Sequence, residues 1–229
     1  MTDERAIKAV VFDAYGTLFD VYSVTSLCEE LFPKQGNTLA AMWRAKQLQY
    51  SLLRSMMNCY KDFWQITEDA LVYCANSLKL ELTTEKRRRL MEAYLTLSAF
   101  PDVRPGLEAL HKAGIRLAIL SNGYPTMLAA AAESAGIAHL LERVISVDEV
   151  KTFKPSPNVY RLIGSRLGID ANDAGFVSSN SWDIHGAGAA GFTAFWIQRS
   201  ALEPSEELGY PAAAVVRAIT DLPALVRRT

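Results

Sequence analysis

The residues of this chain best suited to chemistry stand at the ends of four apolar runs. The run at residues 7–13 closes on Asp13 and is followed by Ala14-Tyr15-Gly16-Thr17-Leu18. A second, at 115–121, ends in Ser121-Asn122-Gly123, and the third, at 143–147, is followed by Lys154-Pro155. The fourth, at 174–179, delivers Ser178-Ser179-Asn180, with Asp183 just beyond. Two carboxylates and a lysine have no structural use at the edge of an apolar layer, because a charge buried without a partner is unfavourable. Gathered together, carboxylate, ammonium, hydroxyl and amide groups are the parts of a ligand or catalytic site. A plainer use is open to Ser121, Asn180 and Asp183, each of which can cap the helix that follows it. Capping accounts for them one at a time; it does not account for four ends in a row.

Each of these runs has the texture of a strand buried on both faces, and a fifth follows at 192–197. Amphipathic helical stretches lie between them at about 104–113, 125–135, 156–167 and 183–190, with Gly114, Gly136, Pro155, Gly168 and Gly191 marking the joins. Alternation of this kind predicts an α/β fold, a doubly wound parallel-sheet (Rossmann-like) core with right-handed crossovers. Such sheets bind ligands at the carboxyl ends of their strands, where the polar residues above fall. Residues 20–98 break the pattern. They contain no buried-strand run but show helical spacing at Trp43, Gln47, Tyr50 and Arg54, then at Phe63, Ile66, Ala70 and Tyr73. The expected organisation is an α/β core domain from 1–19 and 99–229, interrupted by an all-helical cap domain at 20–98. No internal repeat or low-complexity segment is evident.

Composition narrows the classes further. Of 229 residues half are hydrophobic, and the formal net charge is -1, an ordinary globular balance without the basic surplus that would grip nucleic acid. The apolar runs, such as 186–197, are too short and glycine-rich to span a bilayer, so no membrane partner is expected. The polar start, Met1-Thr2-Asp3-Glu4-Arg5, is not that of a signal peptide. Cys28, Cys59 and Cys74 are odd in number and lack metal-ligand spacing, which predicts a reduced, cytoplasmic setting with all three as small core fillers.

The segments VFDAYGTLFD at 11–20, LSNG at 120–123, KP at 154–155 and SSNSWD at 178–183, in this order, resemble the haloacid dehalogenase superfamily over nearly the whole chain. In detail they look like its L-2-haloacid dehalogenases. The phosphatases of that superfamily carry a second aspartate two positions after the nucleophile, as general acid for the leaving alcohol. Here that position is Tyr15, and a phenol with a reference pKa of about 10 is a poor substitute. Phosphatases also bind Mg²⁺ with acidic residues after the fourth strand, where this chain offers the single carboxylate of Asp183. The dehalogenases share both departures and need no metal, so no cofactor is implied.

The resemblance implies that Asp13 attacks the halogen-bearing carbon of a small 2-halo carboxylic acid, expels halide and becomes an ester. Water then hydrolyses the ester and frees a 2-hydroxy acid of inverted configuration. Lys154 would keep Asp13 ionised, Thr17 and Asn180 would orient it, and Asp183 would hold or activate the water with Lys154 and Asn180. Arg44 would receive the halide ion. Ser121 and Asn122, with nearby backbone N–H groups, would bind the substrate carboxylate. Tyr15, Leu48, Phe63 and Trp182 match the apolar wall around the reacting carbon, although aromatic residues fill interiors whatever the chemistry. Tyr160 and Ser178 are supporting residues, Tyr160 being equally suited to packing. Ala45, where relatives often carry a longer polar residue, would alter the pocket if it lines it. Relatives form homodimers; Leu52, Leu53, Met56 and Met57 can serve such an interface or pack the cap's own core. A Mg²⁺-dependent phosphomonoesterase and a catalytically silent binding protein on the same scaffold are the competing functions.

Overall fold

The first strand, β1 (Ala9–Phe12), is buried along its whole length and lies at the centre of the sheet in the computed structural model, which describes residues 7–226. The polar stretch at 1–5 and the outermost ends of the expected core domain, 1–6 and 227–229, lie outside the described residues. After β1 the chain runs through four helices: α1 (Thr25–Leu31), α2 (Gly36–Met56), α3 (Phe63–Ser77) and α4 (Thr84–Ala93). It then alternates: α5 (Val103–Lys112), β2 (Arg116–Ser121), α6 (Pro125–Ser134), β3 (Arg143–Ser146), α7 (Pro157–Leu167), β4 (Ala174–Ser178), α8 (Ser181–Ala189) and β5 (Thr193–Ile197). A short strand, β6 (Ala214–Val216), and a final turn of helix, α9 (Leu222–Val226), complete it.

The six strands are ordered β3-β2-β1-β4-β5-β6, and every pairing is parallel. The chain therefore winds outward from β1 in both directions, and β1 is the switch point at which a doubly wound sheet opens a crevice. Register fixes what emerges there. Phe12 pairs with Ile119 on one side and Val177 on the other, so Asp13, Ser121 and Ser178 leave the sheet within a residue or two of one level. This is the α/β architecture expected from the alternating runs.

Local chemistry sets several boundaries. Asp62 caps α3 by accepting from the Gln65 N–H at 2.9 Å, and α7 begins with Pro157 and ends at Gly168, whose φ of 64° suits a residue without Cβ. Within the helical block the Trp43 indole donates to the Thr67 carbonyl at 2.7 Å, locking α2 to α3. A continuous apolar cluster joins this block to the sheet. Tyr15, just past β1, stacks on Phe63 of α3 with centroids 5.6 Å apart, and burial of such a ring contributes about 1.5–3 kcal/mol.

Two expectations need correction. Cys28 and Cys74 fill the core, but Cys59 is exposed: it sits in the turn between α2 and α3, where its N–H closes back on Arg54 and nothing covers its side chain. Of the two uses left open for Leu52, Leu53, Met56 and Met57, packing a cap core is the one that fails: they are 41–72% exposed, along the last turn of α2 and its C-cap. Among the described residues no helix is long and apolar enough to cross a membrane.

Candidate active site

Asp13 occupies the first position beyond β1, and its N–H is still held by the Val177 carbonyl at 2.9 Å, so its backbone is an extension of the sheet. The chain then turns sharply through Gly16, whose φ is 94° and where a Cβ would meet the Ser179 hydroxyl at 3.2 Å. That turn brings Thr17 back over the carboxylate. Thr17 Oγ1 donates to Asp13 Oδ2 at 3.1 Å, Asn180 Nδ2 donates to the same oxygen at 3.0 Å, and Lys154 Nζ donates to Oδ1 at 3.0 Å. Thr17 in turn accepts from the Ser179 N–H at 2.8 Å, which stitches the first loop to the fourth. Asn180 stands at the N-cap position of α8, yet its side chain makes no capping bond and goes to Asp13 instead. Ser121 does not cap either, since its Oγ accepts from the Gly123 N–H within its own turn at 3.1 Å.

Lys154 is the hub. Its ammonium lies 3.0 Å from Asp13 and 2.9 Å from Asp183, and both the lysine and Asp183 are essentially sealed from water. Its backbone N–H is anchored by Asn122 Oδ1 at 3.0 Å. Burial works against the charge on Lys154, but the two carboxylates together outweigh it and hold the ammonium above its ordinary pKa. Burial pushes Asp183 up, the Lys154 charge pulls it back, and the neighbouring Asp13 charge pushes it up again; the balance stays above the usual aspartate value. Tyr160 donates to Asp183 Oδ1 at 2.6 Å, which favours the ionised carboxylate, and its own hydroxyl is driven well above the usual phenol value by burial and by the Asp183 charge. Removing that donor in Tyr160→Phe is therefore expected to raise the Asp183 pKa further. The acid limb of a pH–rate profile should move to higher pH, with the alkaline limb unmoved. Kinetics at fixed ionic strength between pH 4 and 8 check this, and an unmoved acid limb would count against it.

Above Asp13 lies a small, partly open pocket lined by Tyr15, Arg44, Leu48, Phe63, Ser121, Asn122, Asn180 and Trp182, with room for about one water (≈ 10 Å³). Arg44 reaches it from α2, Nη2 donating to the Tyr15 carbonyl at 3.1 Å and Nη1 to Gln47 Oε1 at 2.8 Å. Tyr15 is buried with its hydroxyl unpartnered, and burial raises its pKa far beyond the physiological range, so it presents a neutral ring. Ser178 lies at the edge of the site, its Oγ accepting from the Asn180 N–H at 3.1 Å. Every residue proposed from sequence is thus brought to one place. Ala45 is not: it is exposed on α2 and absent from the pocket lining.

Two supporting bridges went unread in the sequence. Gln47, fully buried, passes from Arg44 to Thr67, its Nε2 donating to Thr67 Oγ1 at 2.7 Å. Its signal was its place one helical turn after Arg44. Arg199 follows the fifth strand, the one end left out of the strand-end argument. Its Nη2 donates to the Thr17 carbonyl at 2.6 Å and its Nη1 to Asp102 at 2.7 Å, while the guanidinium lies over Phe100.

The donor set does not suit a divalent cation of the kind superfamily phosphatases bind. All four oxygens of Asp13 and Asp183 already accept hydrogen bonds from Lys154, Thr17, Asn180 or Tyr160. Among the described residues no group of three or more His, Cys, Asp or Glu side chains is placed to hold a metal ion.

With this geometry in hand, comparison with known proteins is specific. The family model described as haloacid dehalogenase-like hydrolase matches residues 7–191. A protein named (S)-2-haloacid dehalogenase 2, from Pseudomonas sp. (strain CBS-3), is 44% identical over 97% of this chain and 96% of its own length. Among solved structures, an L-2-haloacid dehalogenase superposes with a TM-score of 0.94 at 45% identity, covering 97% of this chain and 99% of its own. The L-2-haloacid dehalogenase from Xanthobacter autotrophicus with chloropropionic acid covalently bound superposes with a TM-score of 0.89 at 40% identity, covering 97% and 99%. Sheet order, helical block and sequence agree in one conclusion: the chain belongs to the haloacid dehalogenase-like hydrolases, within their L-2-haloacid dehalogenase family.

Proposed function

We propose that this enzyme hydrolyses L-2-haloalkanoic acids to D-2-hydroxy acids, with inversion, through an ester on Asp13. The observation that carries the reading is the cage around Asp13: a carboxylate oriented by Thr17 and Asn180, charge-balanced by Lys154, and facing an apolar pocket with a guanidinium. Asp13 Oδ1 accepts one bond where Oδ2 accepts two, which leaves Oδ1 the freer electron pair for attack. It forms a C–O bond to C2 as the carbon–halogen bond breaks, and the halide passes to the Arg44 guanidinium. Displacement from the back inverts C2. Water next attacks the Asp13 carbonyl carbon, giving one proton to Asp183; the Cγ–Oδ1 bond breaks, Oδ1 leaves on C2 of the product and takes up that proton, and Asp13 is restored as a carboxylate carrying one water oxygen, its second proton passing to solvent. Ser121, Asn122 and the adjoining backbone N–H groups hold the substrate carboxylate, and Tyr15, Leu48, Phe63 and Trp182 keep water from C2. Tyr160 and Ser178 support Asp183 and Asn180.

The test is halide release from L-2-chloropropionate with D-lactate as product, the D-enantiomer remaining unreacted, and rates unchanged by EDTA. Phosphate release from monoesters that depends on added Mg²⁺ would replace this reading with a phosphatase, and absence of any turnover would favour a silent binding protein. We also propose that residues 20–98 act as a cap domain over a core of 1–19 and 99–229, that the enzyme is cytoplasmic, and that it is a homodimer. The exposed apolar side chains of Leu53 and Met56 in α2, and of Met57 just beyond it, support the last of these.

A further inference from the structure

A second cavity, of ≈ 470 Å³, adjoins the catalytic pocket. The two share Leu48, Asn122 and Trp182 in their walls, so the outer space borders the catalytic one at those side chains. The outer part is lined almost wholly by apolar surface, from Leu52 on α2, Pro155 after the third strand, and Leu208 at the rim. We propose that this outer chamber is a binding site for the alkyl tail of longer 2-haloalkanoic acids, making chain length, and not the halogen, the property it selects. The inference rests on the dehalogenase reading and specifies its substrate class.

Geometry assigns the tail by elimination. Of the groups on C2, the halide must point away from Asp13 toward Arg44, and Arg44 does not line the outer chamber. The carboxylate is the group suited to Ser121 and Asn122. The alkyl group is left facing Leu48 and Trp182, the two apolar side chains of the three that border the chamber. The rim is held in place. Leu208 belongs to the segment between β5 and β6, which has no helix or strand of its own, but hydrogen bonds fix it on both sides. Before it, the Glu206 N–H donates to Ser181 Oγ at 2.9 Å and the Glu206 carbonyl meets His185 Nε2 at 2.7 Å; after it, the Tyr210 N–H donates to His185 Nδ1 at 3.0 Å. Leu208 itself remains 57% exposed, an apolar side chain presented to solvent at the mouth of an apolar hollow.

The experiment is a series of L-2-bromo acids from propionate to octanoate, assayed for kcat and KM with the wild-type enzyme, Leu208→Ala and Leu208→Asp. Burial of a methylene should lower the wild-type KM roughly two- to fourfold per added carbon, with kcat little changed. Leu208→Asp should flatten that trend and Leu208→Ala should weaken it, both leaving KM for the three-carbon acid as it was. A wild-type KM that is flat or rises with length overturns the proposal, and so does a Leu208→Asp enzyme with the wild-type trend. Calorimetric titration with unreactive straight-chain alkanoates separates this inference from the reaction assignment. Affinity that grows with length and depends on Leu208, in an enzyme releasing no halide, would remove the dehalogenase reading and leave the chamber; halide release without such growth would do the reverse.

Discussion

Asp13→Asn is expected to abolish halide release, lowering kcat by about 10⁴-fold or more, while the protein still folds. The amide keeps the shape of the carboxylate but supplies no anionic oxygen to displace a halide. Its amino group would also oppose either the Lys154 ammonium or the Asn180 amide, both donors that now point at carboxylate oxygens. One donor must lose its partner, and an unsatisfied buried group of this kind costs about 1–3 kcal/mol. Loss of activity should therefore come with a fall in melting temperature of only several degrees, against a complete loss of turnover. A wild-type reaction with enzyme in excess in H₂¹⁸O gives the complementary result. In that single turnover the label should pass to Asp13 and not to the product, as located by mass spectrometry of the Asp13 peptide, because the ester is opened at the carbonyl carbon. Label in the product of the first turnover, with none in Asp13, would mean that water attacks C2 directly.

The same residues explain how far the sequence could be read. β1, β2 and β4 were legible because a strand covered on both faces must be apolar throughout, and the polar residue that ends such a run announces itself. β6 has three residues with Val215 exposed, too short and too open to produce that signal. Asp13, Lys154 and Asp183 were found by position at or beyond the strand ends, and the fold then places the Lys154 ammonium 3.0 Å from Asp13 and 2.9 Å from Asp183. The Gln47–Thr67 and Arg199–Asp102 bridges escaped notice because their partners lie 20 and 97 residues away, on elements whose crossing no local pattern predicts. Cys59 failed for a related reason: cysteine is usually buried, but burial at a turn depends on whether another element crosses it, and here none does.

The second large effect concerns the lysine that makes the two carboxylates compatible. In Lys154→Met the apolar stem is approximately kept but the ammonium that lies over Phe176 is lost, and Asp13 and Asp183 remain buried and without a cation. Removing one partner of a buried ion pair costs about 3–5 kcal/mol, so urea denaturation near pH 8 should show a loss of that size, together with loss of turnover. The sign of the pH dependence follows from what the lysine does to its neighbours. Without it, burial and the nearby Asp13 charge raise the folded-state pKa of Asp183, already above the usual aspartate value, still further. A group raised in this way favours folding below its unfolded pKa and loses that advantage as pH climbs through the folded one. The deficit of the variant should therefore be greatest at neutral and alkaline pH and should shrink as pH falls toward 5, when one carboxyl takes up a proton. The wild-type contribution of Lys154 runs the other way in range: with its pKa held above the ordinary lysine value, it is fully present through neutrality and is lost only as pH rises past that value. Adding Asp183→Asn to Lys154→Met removes one of the two negative charges and should restore much of the stability without restoring activity, since neither the cation beside the nucleophile nor the carboxylate that receives the water proton is then present. A deficit that stays constant from pH 5 to 8, or a double variant no more stable than Lys154→Met alone, would show that Lys154 acts through packing and not through charge.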